Sequence, residues 1–405
     1  MLSISIIAFI SSSWTKNGGD WLNLTTIQDA YQQHHVEQHT SIPVVTDICE
    51  PTKLTSIIQE AFDHPHSQYK LIFVSDHGAK AIRTLNDLPL NVEIIWSGHQ
   101  LVAEWEQLLV HKWYLPEHSF PISHSHHLRN MVPLPGVITP GHKLSDHATD
   151  QERTTSQYTK EVIWMLSGDA RKDHAGDSAL IDSWLLLKPD YSEKVVQILS
   201  KNPIFNDVQK VSIVNSPRTG QWEILKDSSI FSSMQLGKTE YHSKPLNLEI
   251  NIDPITQSAQ KAVSTHLANV TIDIGHYWRE EPSQADEPVI HHSNYQTKID
   301  DFLQNPEALL LIPGDSVTDV SKIISTKHCI DHRGKVFVIL TDTMTPSIAS
   351  WVDSLYSQGY FGTIDARSKR KPLLLSVLDS NPKPKNILSE VKQSLDNSLT
   401  VSNRP

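Results

Sequence analysis

Three short stretches in the second half of the chain carry side chains suited to holding an anion. They are Ser167-Gly168-Asp169 with Arg171 and Lys172, Asn215-Ser216-Pro217-Arg218-Thr219-Gly220, and Pro313-Gly314-Asp315-Ser316. Small residues let a ligand approach the backbone closely, and the planar guanidinium of Arg218 matches the oxygens of a phosphate. Each stretch follows an apolar run that reads as a buried strand. Where such a strand feeds a helix, the first N–H groups of that helix are unpaired and sit at the positive end of its dipole, which favours anions. The candidate ligand-holding set is Gly168, Arg171, Lys172, Ser216, Arg218, Thr219, Gly314, Asp315 and Ser316. The competing role for Arg218 is a helix cap or an ion pair with a carboxylate.

Proton transfer near neutrality calls for histidine, and the chain has 22. His77, His99 and His118 each follow a predicted strand of the first half, where a side chain can face a ligand crevice; His77 and His118 are the candidate general bases. His118, His124, His126 and His127 also invite a metal reading. No cysteine accompanies them, and no His-x3-His pair falls on a predicted helix beside a carboxylate. A solvated loop is therefore preferred, and no metal is expected.

The elements that must position these residues alternate. Ser3–Ile10, Val44–Ile48, Lys70–Ser75 and Val92–Trp96 read as strands; Trp21–Gln33, Leu54–Phe62 and Leu101–Leu109 read as helices from their apolar spacing, and Val137–Thr139 as a last strand of this half. This is the signature of a parallel, doubly wound sheet, whose ligands sit beyond the carboxyl ends of the strands. After a polar linker at Ser145–Thr159, the alternation resumes with strands at Glu161–Leu166, Gln209–Val214, Leu246–Ile250 and Asn269–Ile274. Helices are expected at Ser178–Leu186, Tyr191–Lys201, Tyr295–Phe302, Ile348–Gln358 and Ile387–Leu395. Ala308–Leu340 reads as strand, tight turn, short helix and strand. The expected division is residues 1–150, residues 160–380, and a C-terminal helix and tail at 385–405 that packs back on the first domain.

Asp315-Ser316-Val317-Thr318-Asp319-Val320-Ser321 resembles the D-S-V-x-M-[VI]-S-E-A segment of the mitochondrial-fission ELM-type proteins, and Ser216–Gly220 resembles that family's S-S-R-R-T-P turn. VIWMLSGDARK, LPEHS and NMVPLPGVITPG match further family segments in order over most of residues 110–365. The resemblance implies a GT-B-like architecture, two Rossmann-like domains facing across a cleft, with the first on the acceptor side and the second holding a nucleotide-sugar donor. It further implies a UDP- or GDP-sugar as donor and no required metal, since helix dipole and basic side chains would stabilise the leaving diphosphate. Lys322 stands where the family has Glu, and the loop SSSWTKNGGDW lacks its D-G-[KR]-x-G-H-x-x-Q pattern.

Composition bounds the remaining possibilities. The chain has 405 residues, 38% hydrophobic and 20% charged, enough for two α/β domains. A net charge of −11 argues against a general nucleic-acid binder. Cys49 and Cys329 cannot form a disulfide framework, which fits a reducing, cytoplasmic setting. The N-terminal MLSISIIAFISSSW reads as a strand rather than a signal peptide. GxGxxG, P-loop, GxSxG and HExxH motifs are absent. The expected function is a nucleotide-sugar-dependent glycosyltransferase acting on an unidentified acceptor. The alternatives are a non-catalytic binding or membrane-remodelling partner protein on the same fold and another two-domain α/β enzyme such as a sugar epimerase; peripheral membrane association is a separate expectation.

Overall fold

The computed structural model describes residues 4–9, 19–37, 44–46, 51–74, 81–99 apart from 86, 105–119, 130–138, 158–171, 184–219 apart from 217, 253–280 apart from 276, and 290–393 apart from 294 and 390. His77, Lys172, His124, His126, His127 and the expected strand Leu246–Ile250 lie outside the described residues. The chain divides into two compact units. One holds the N-terminal sheet and the residues from Lys385 onward; the other holds the sheet that begins at Glu161.

Among the described residues, the first unit is built on six parallel strands: β1 (Ile4–Phe9), β2 (Val44–Thr46), β3 (Gln68–Val74), β4 (Val92–Ser97), β5 (Lys112–Pro116) and β6 (Met131–Leu134). Their order is β2-β1-β3-β4-β5-β6. Side chains of a strand alternate between faces, and two separate cores result. Tyr69, Leu71 and Phe73 of β3 join Ile94 and Trp96 of β4 under α2 (Pro51–Asp63), which buries Leu54, Ile57, Ile58 and Ala61 at helical spacing. Ile72 and Val74 point the other way, to Leu24, Ile27 and Tyr31 of α1 (Gly19–Glu37). Ile387 and Val391, from the far end of the chain, complete that second core.

Two elements differ from expectation here. The segment expected as a helix over Leu101–Leu109 contains only one helical turn among its described residues, Trp105–Gln107. The last strand of this half, expected at Val137–Thr139, is instead β6, upstream of it and preceded by β5; Val137 and Ile138 are buried. Flanking His and Pro hide β5, yet Trp113, Tyr114 and Leu115 are all buried. Pro133 is tolerated because β6 lies at the sheet edge.

The second unit contains β7 (Glu161–Met165), the small hairpin of β8 (Ala170–Arg171) and β9 (Trp184–Leu185), α3 (Asp190–Leu199), β10 (Lys210–Val214), α4 (Pro254–His266) and β11 (Thr271–Gly275). A second hairpin, β12 (Tyr277–Glu280) and β13 (Ile290–Ser293), leads to α5 (Tyr295–Gln304), β14 (Leu309–Pro313), α6 (Val317–Ser325) and α7 (Lys327–Asp331). β15 (Val336–Leu340), α8 (Pro346–Ser357), β16 (Gly362–Asp365) and β17 (Leu373–Leu375) follow. Trp184–Leu185 is thus strand where helix was expected. α4 is a helix the apolar spacing does not predict, although Asp253-Pro254 is a strong start signal: the Asp253 carboxylate caps Thr256 N at 2.8 Å and Pro254 opens the helix.

The main sheet runs β11-β10-β7-β14-β15-β16-β17, parallel except for β17. Taken by position in the sequence, its parallel strands lie in the order third, second, first, fourth, fifth, sixth, the doubly wound Rossmann arrangement. The order reverses between β7 and β14, so the chain leaves these neighbours in opposite directions and opens a crevice beyond their carboxyl ends. The core on one face joins Trp164, Val211, Ile213, Leu311, Phe337 and Ile339 to α3 and α4. Phe337 is buried and lies 5.7 Å from the Phe205 ring. Phe337→Ala is expected to lower unfolding free energy by about 3–5 kcal/mol in urea titration, because the buried ring leaves a cavity that rigid neighbours cannot fill.

Candidate functional site

The loops that leave β7, β10 and β14 meet at the reversal of strand order. At their centre is the buried carboxylate of Asp315. Ser167 Oγ donates to its Oδ1 at 2.5 Å, and Arg218 Nη2 donates to its Oδ2 at 3.2 Å. The same guanidinium donates through Nη1 to the Asp169 carbonyl at 2.9 Å, and 35% of the Arg218 side chain remains exposed. Arg218 is therefore both an ion-pair partner and a rim residue. The expected anion contact and the competing carboxylate pair converge on one side chain.

Close packing forces the small residues in these loops. Asp169 N donates to the Arg218 carbonyl at 3.0 Å, and Thr219 Oγ1 donates to the Ser167 carbonyl at 3.0 Å. A Cβ on Gly168 would lie 2.5 Å from Arg218 Cβ and 2.8 Å from its carbonyl carbon. On Gly314 it would meet Met344 Sδ at 2.6 Å. Ser216 N donates to Thr219 Oγ1 at 2.9 Å, which closes the turn that presents Arg218. Thr219 thus organises the loop from a buried position, whereas Ser216 is only partly buried.

Sequence reasoning missed two members. Thr341 and Thr343, just beyond β15, are buried; Thr343 Oγ1 lies 3.1 Å from Ser167 Oγ and 2.7 Å from Thr341 Oγ1. The run Thr341-Asp342-Thr343 after an all-apolar strand was the available signal. Asn215 also has a role inside the fold: it donates to Asp253 Oδ2 at 3.1 Å and so ties β10 to the start of α4.

The start of α6 is already charged. Ser316 Oγ donates to Asp319 Oδ2 at 2.5 Å, so this hydroxyl serves a carboxylate in the first turn. Asp319 is buried, and so is Lys322 one turn on. Burial lowers the Lys322 pKa, opposed by the attraction of Asp319 and Asp300. Arg171 lies in β8, its backbone paired with Trp184.

In the first unit, His99 and His118 follow adjacent strands, β4 and β5, and interact. Burial drives the His118 pKa down to about 3, His99 adds to the shift, and a hydrogen bond to the His99 backbone partly opposes it. An imidazole so weakly basic is neutral near pH 7 and takes up a proton poorly. A His-x3-His spacing does exist at His328 and His332, with Asp331 between them, contrary to the sequence reading. The two rings stack with centroids 4.1 Å apart, and His332 Nδ1 lies 3.0 Å from the His328 carbonyl oxygen. Among the described residues, no group of three or more His, Cys, Asp or Glu is arranged to hold a metal ion.

No protein-family model matches the chain, and no curated protein sequence matches it either. Solved structures do align with it. MurG of Acinetobacter baumannii aligns over 99% of this chain and 91% of its own at 11% identity and a TM-score of 0.37. A periplasmic sugar-binding protein of an ABC sugar transporter from Legionella pneumophila aligns over 99% and 95%, at 8% identity and a TM-score of 0.26. A D-allose-bound solute-binding protein from Actinobacillus succinogenes aligns over 100% and 92%, at 8% identity and a TM-score of 0.25. These superpositions are too loose to carry a functional argument.

Two outcomes test the geometry. Gly168→Ala should lower stability by about 1–3 kcal/mol in urea titration, since its methyl group meets backbone as well as side chain. The second concerns acid. The folded state resists protonating His118 down to about pH 3, whereas the unfolded chain protonates it near its ordinary value. Between those values the unfolded state holds the extra proton, so stability falls as pH drops through that window. His118→Asn should flatten this part of the stability–pH curve, removing a slope of at most about 1.4 kcal/mol per pH unit.

Proposed function

We propose that the second unit binds a UDP- or GDP-sugar at its strand-order reversal and that the chain is a GT-B-type glycosyltransferase needing no metal. The observation that carries this is the Ser167–Asp315–Arg218 constellation at the reversal of a Rossmann-ordered sheet, where ligands of open α/β sheets bind. The inner edge of Arg218 is held by Asp315 and the Asp169 carbonyl, so a partly exposed cation is oriented before any ligand arrives. Such preorganisation spares the ordering cost of binding and lets the guanidinium stabilise charge building on a departing diphosphate. Ser216, beside it on the same turn, supplies a hydroxyl. The similarity of Asp315–Ser321 and Ser216–Gly220 to ELM-type segments supports the same assignment. His118 is too weak a base for the acceptor hydroxyl, which leaves His77 of the two candidates.

One observation favours a non-catalytic protein on the same fold. Lys322, where the resembled family has an acid, is buried and feels the charges of Asp319 and Asp300.

Calorimetric titration of the whole chain with UDP, GDP and their sugars tests the reading. Binding is expected, and Arg218→Ala should weaken it by about 1–3 kcal/mol, the range for a charge-assisted hydrogen bond. No binding of any of these at millimolar concentration would sink the proposal. Binding without hydrolysis or transfer of the sugar would select the non-catalytic alternative.

A further inference from the structure

The far edge of the second unit's sheet carries a surface that the proposed chemistry does not use. β17 is the last strand and pairs with β16 on one side. Its alternation turns Leu374 inward against the core and leaves Leu373 and Leu375 on the opposite face, 52% and 40% exposed. Leu378 follows at 40%. Immediately before the strand, Lys369, Arg370 and Lys371 are all exposed. From Arg367 to Lys385 the sequence holds six cations (Arg367, Lys369, Arg370, Lys371, Lys383 and Lys385) against one acid, Asp379, in a chain of net charge −11. The nearby acid Asp365 is engaged by Arg367 through Nε at 2.8 Å and Nη2 at 2.5 Å, with Arg370 Nη1 at 3.5 Å. Among the described residues, neither Lys369 nor Lys371 has an ion-pair partner.

We infer that this edge, Lys369–Lys371 with Leu373, Leu375 and Leu378, docks the protein on an anionic phospholipid surface. Exposed apolar side chains rimmed by cations match both layers of such a surface: leucines enter the interface while lysines meet the headgroup charge. A second copy of the chain fits less well. A two-fold contact through this patch would set each copy's cationic rim against the other's, like charge facing like charge. A nucleic acid would use the cations but not the leucines. Among the described residues, no helix is long and apolar enough to cross a membrane.

The full chain would be tested by flotation with vesicles of phosphatidylcholine alone and of phosphatidylcholine mixed with phosphatidylglycerol. Binding is expected to the mixed vesicles only, and to weaken as salt rises. Lys369→Glu with Lys371→Glu should weaken it on the order of tenfold or more, since each cation near an anionic surface contributes about fivefold. Leu373→Ser with Leu375→Ser should weaken it independently. All four side chains are exposed, so both variants should melt as the wild type does, and either pair alone suffices if the other lowers stability. Absence of binding to the mixed vesicles overturns the inference, as does binding that survives both double substitutions. A dimer in sedimentation velocity that the leucine variant abolishes would assign the surface to a second copy and also overturn it. Nucleotide titration is unaffected by these variants if the patch acts alone, so this outcome and that of the donor site can be told apart.

Discussion

The arrangement of the loops that leave β7, β10 and β14 turns on one buried carboxylate. An ionised carboxylate removed from water is very costly unless hydrogen-bonded and paired. Asp315 meets that demand with a hydroxyl from the loop after β7 and a guanidinium from the loop after β10. The remaining geometry follows. Arg218, which reaches Asp315, lies with its backbone against Gly168, and that approach leaves no room for a Cβ. Thr219 fastens the same loop to the Ser167 carbonyl, and Thr343 brings the end of β15 beside the Ser167 hydroxyl. Strand ends remote in sequence are thereby held in one configuration.

Acidic and basic groups already face one another around the start of α6. Arg218 and Lys322 bring basic groups, while Asp315 and Asp319 bring acidic ones, with Asp300 also acting on Lys322. A helix N-terminus occupied by its own first-turn carboxylate attracts a further anion less strongly than a bare one. Recognition at this end would therefore rest on directed donors, chiefly the exposed part of Arg218 and the Ser216 hydroxyl, more than on net positive potential. Selectivity would then lie in hydrogen-bond geometry and would be less sensitive to ionic strength than a lysine-lined phosphate pocket.

How much of this was legible in the sequence varied with the kind of signal. Buried parallel strands announce themselves as continuous apolar runs, and Leu309–Ile312, Val336–Leu340 and Leu71–Val74 were read that way. β5 was hidden because its short apolar stretch, Trp113–Leu115, sits among histidine, lysine and proline. α4 is hard to read because its buried apolar positions, Ile255, Ala259, Ala262 and Val263, are small or β-branched, although its Asp-Pro start is visible. The three site loops could be nominated from Gly, Ser and Arg at strand ends. Their mutual bonding could not: Ser167 and Asp315 are 148 residues apart, and only the strand order makes them neighbours. Nor does sequence show that the Asp319 carboxylate is turned back on Ser316.

The return of the chain to the first unit has a consequence for biosynthesis. The second core of that unit needs Ile387 and Val391 beside Leu24, Ile27 and Tyr31, whereas the last strand of the other sheet ends at Leu375. Domains emerging from a ribosome ordinarily fold from the N-terminus onward. Here the unit translated first cannot seal one face until the other unit has been made in full. Throughout that interval α1 and its side of the sheet lack the apolar side chains that complete their core.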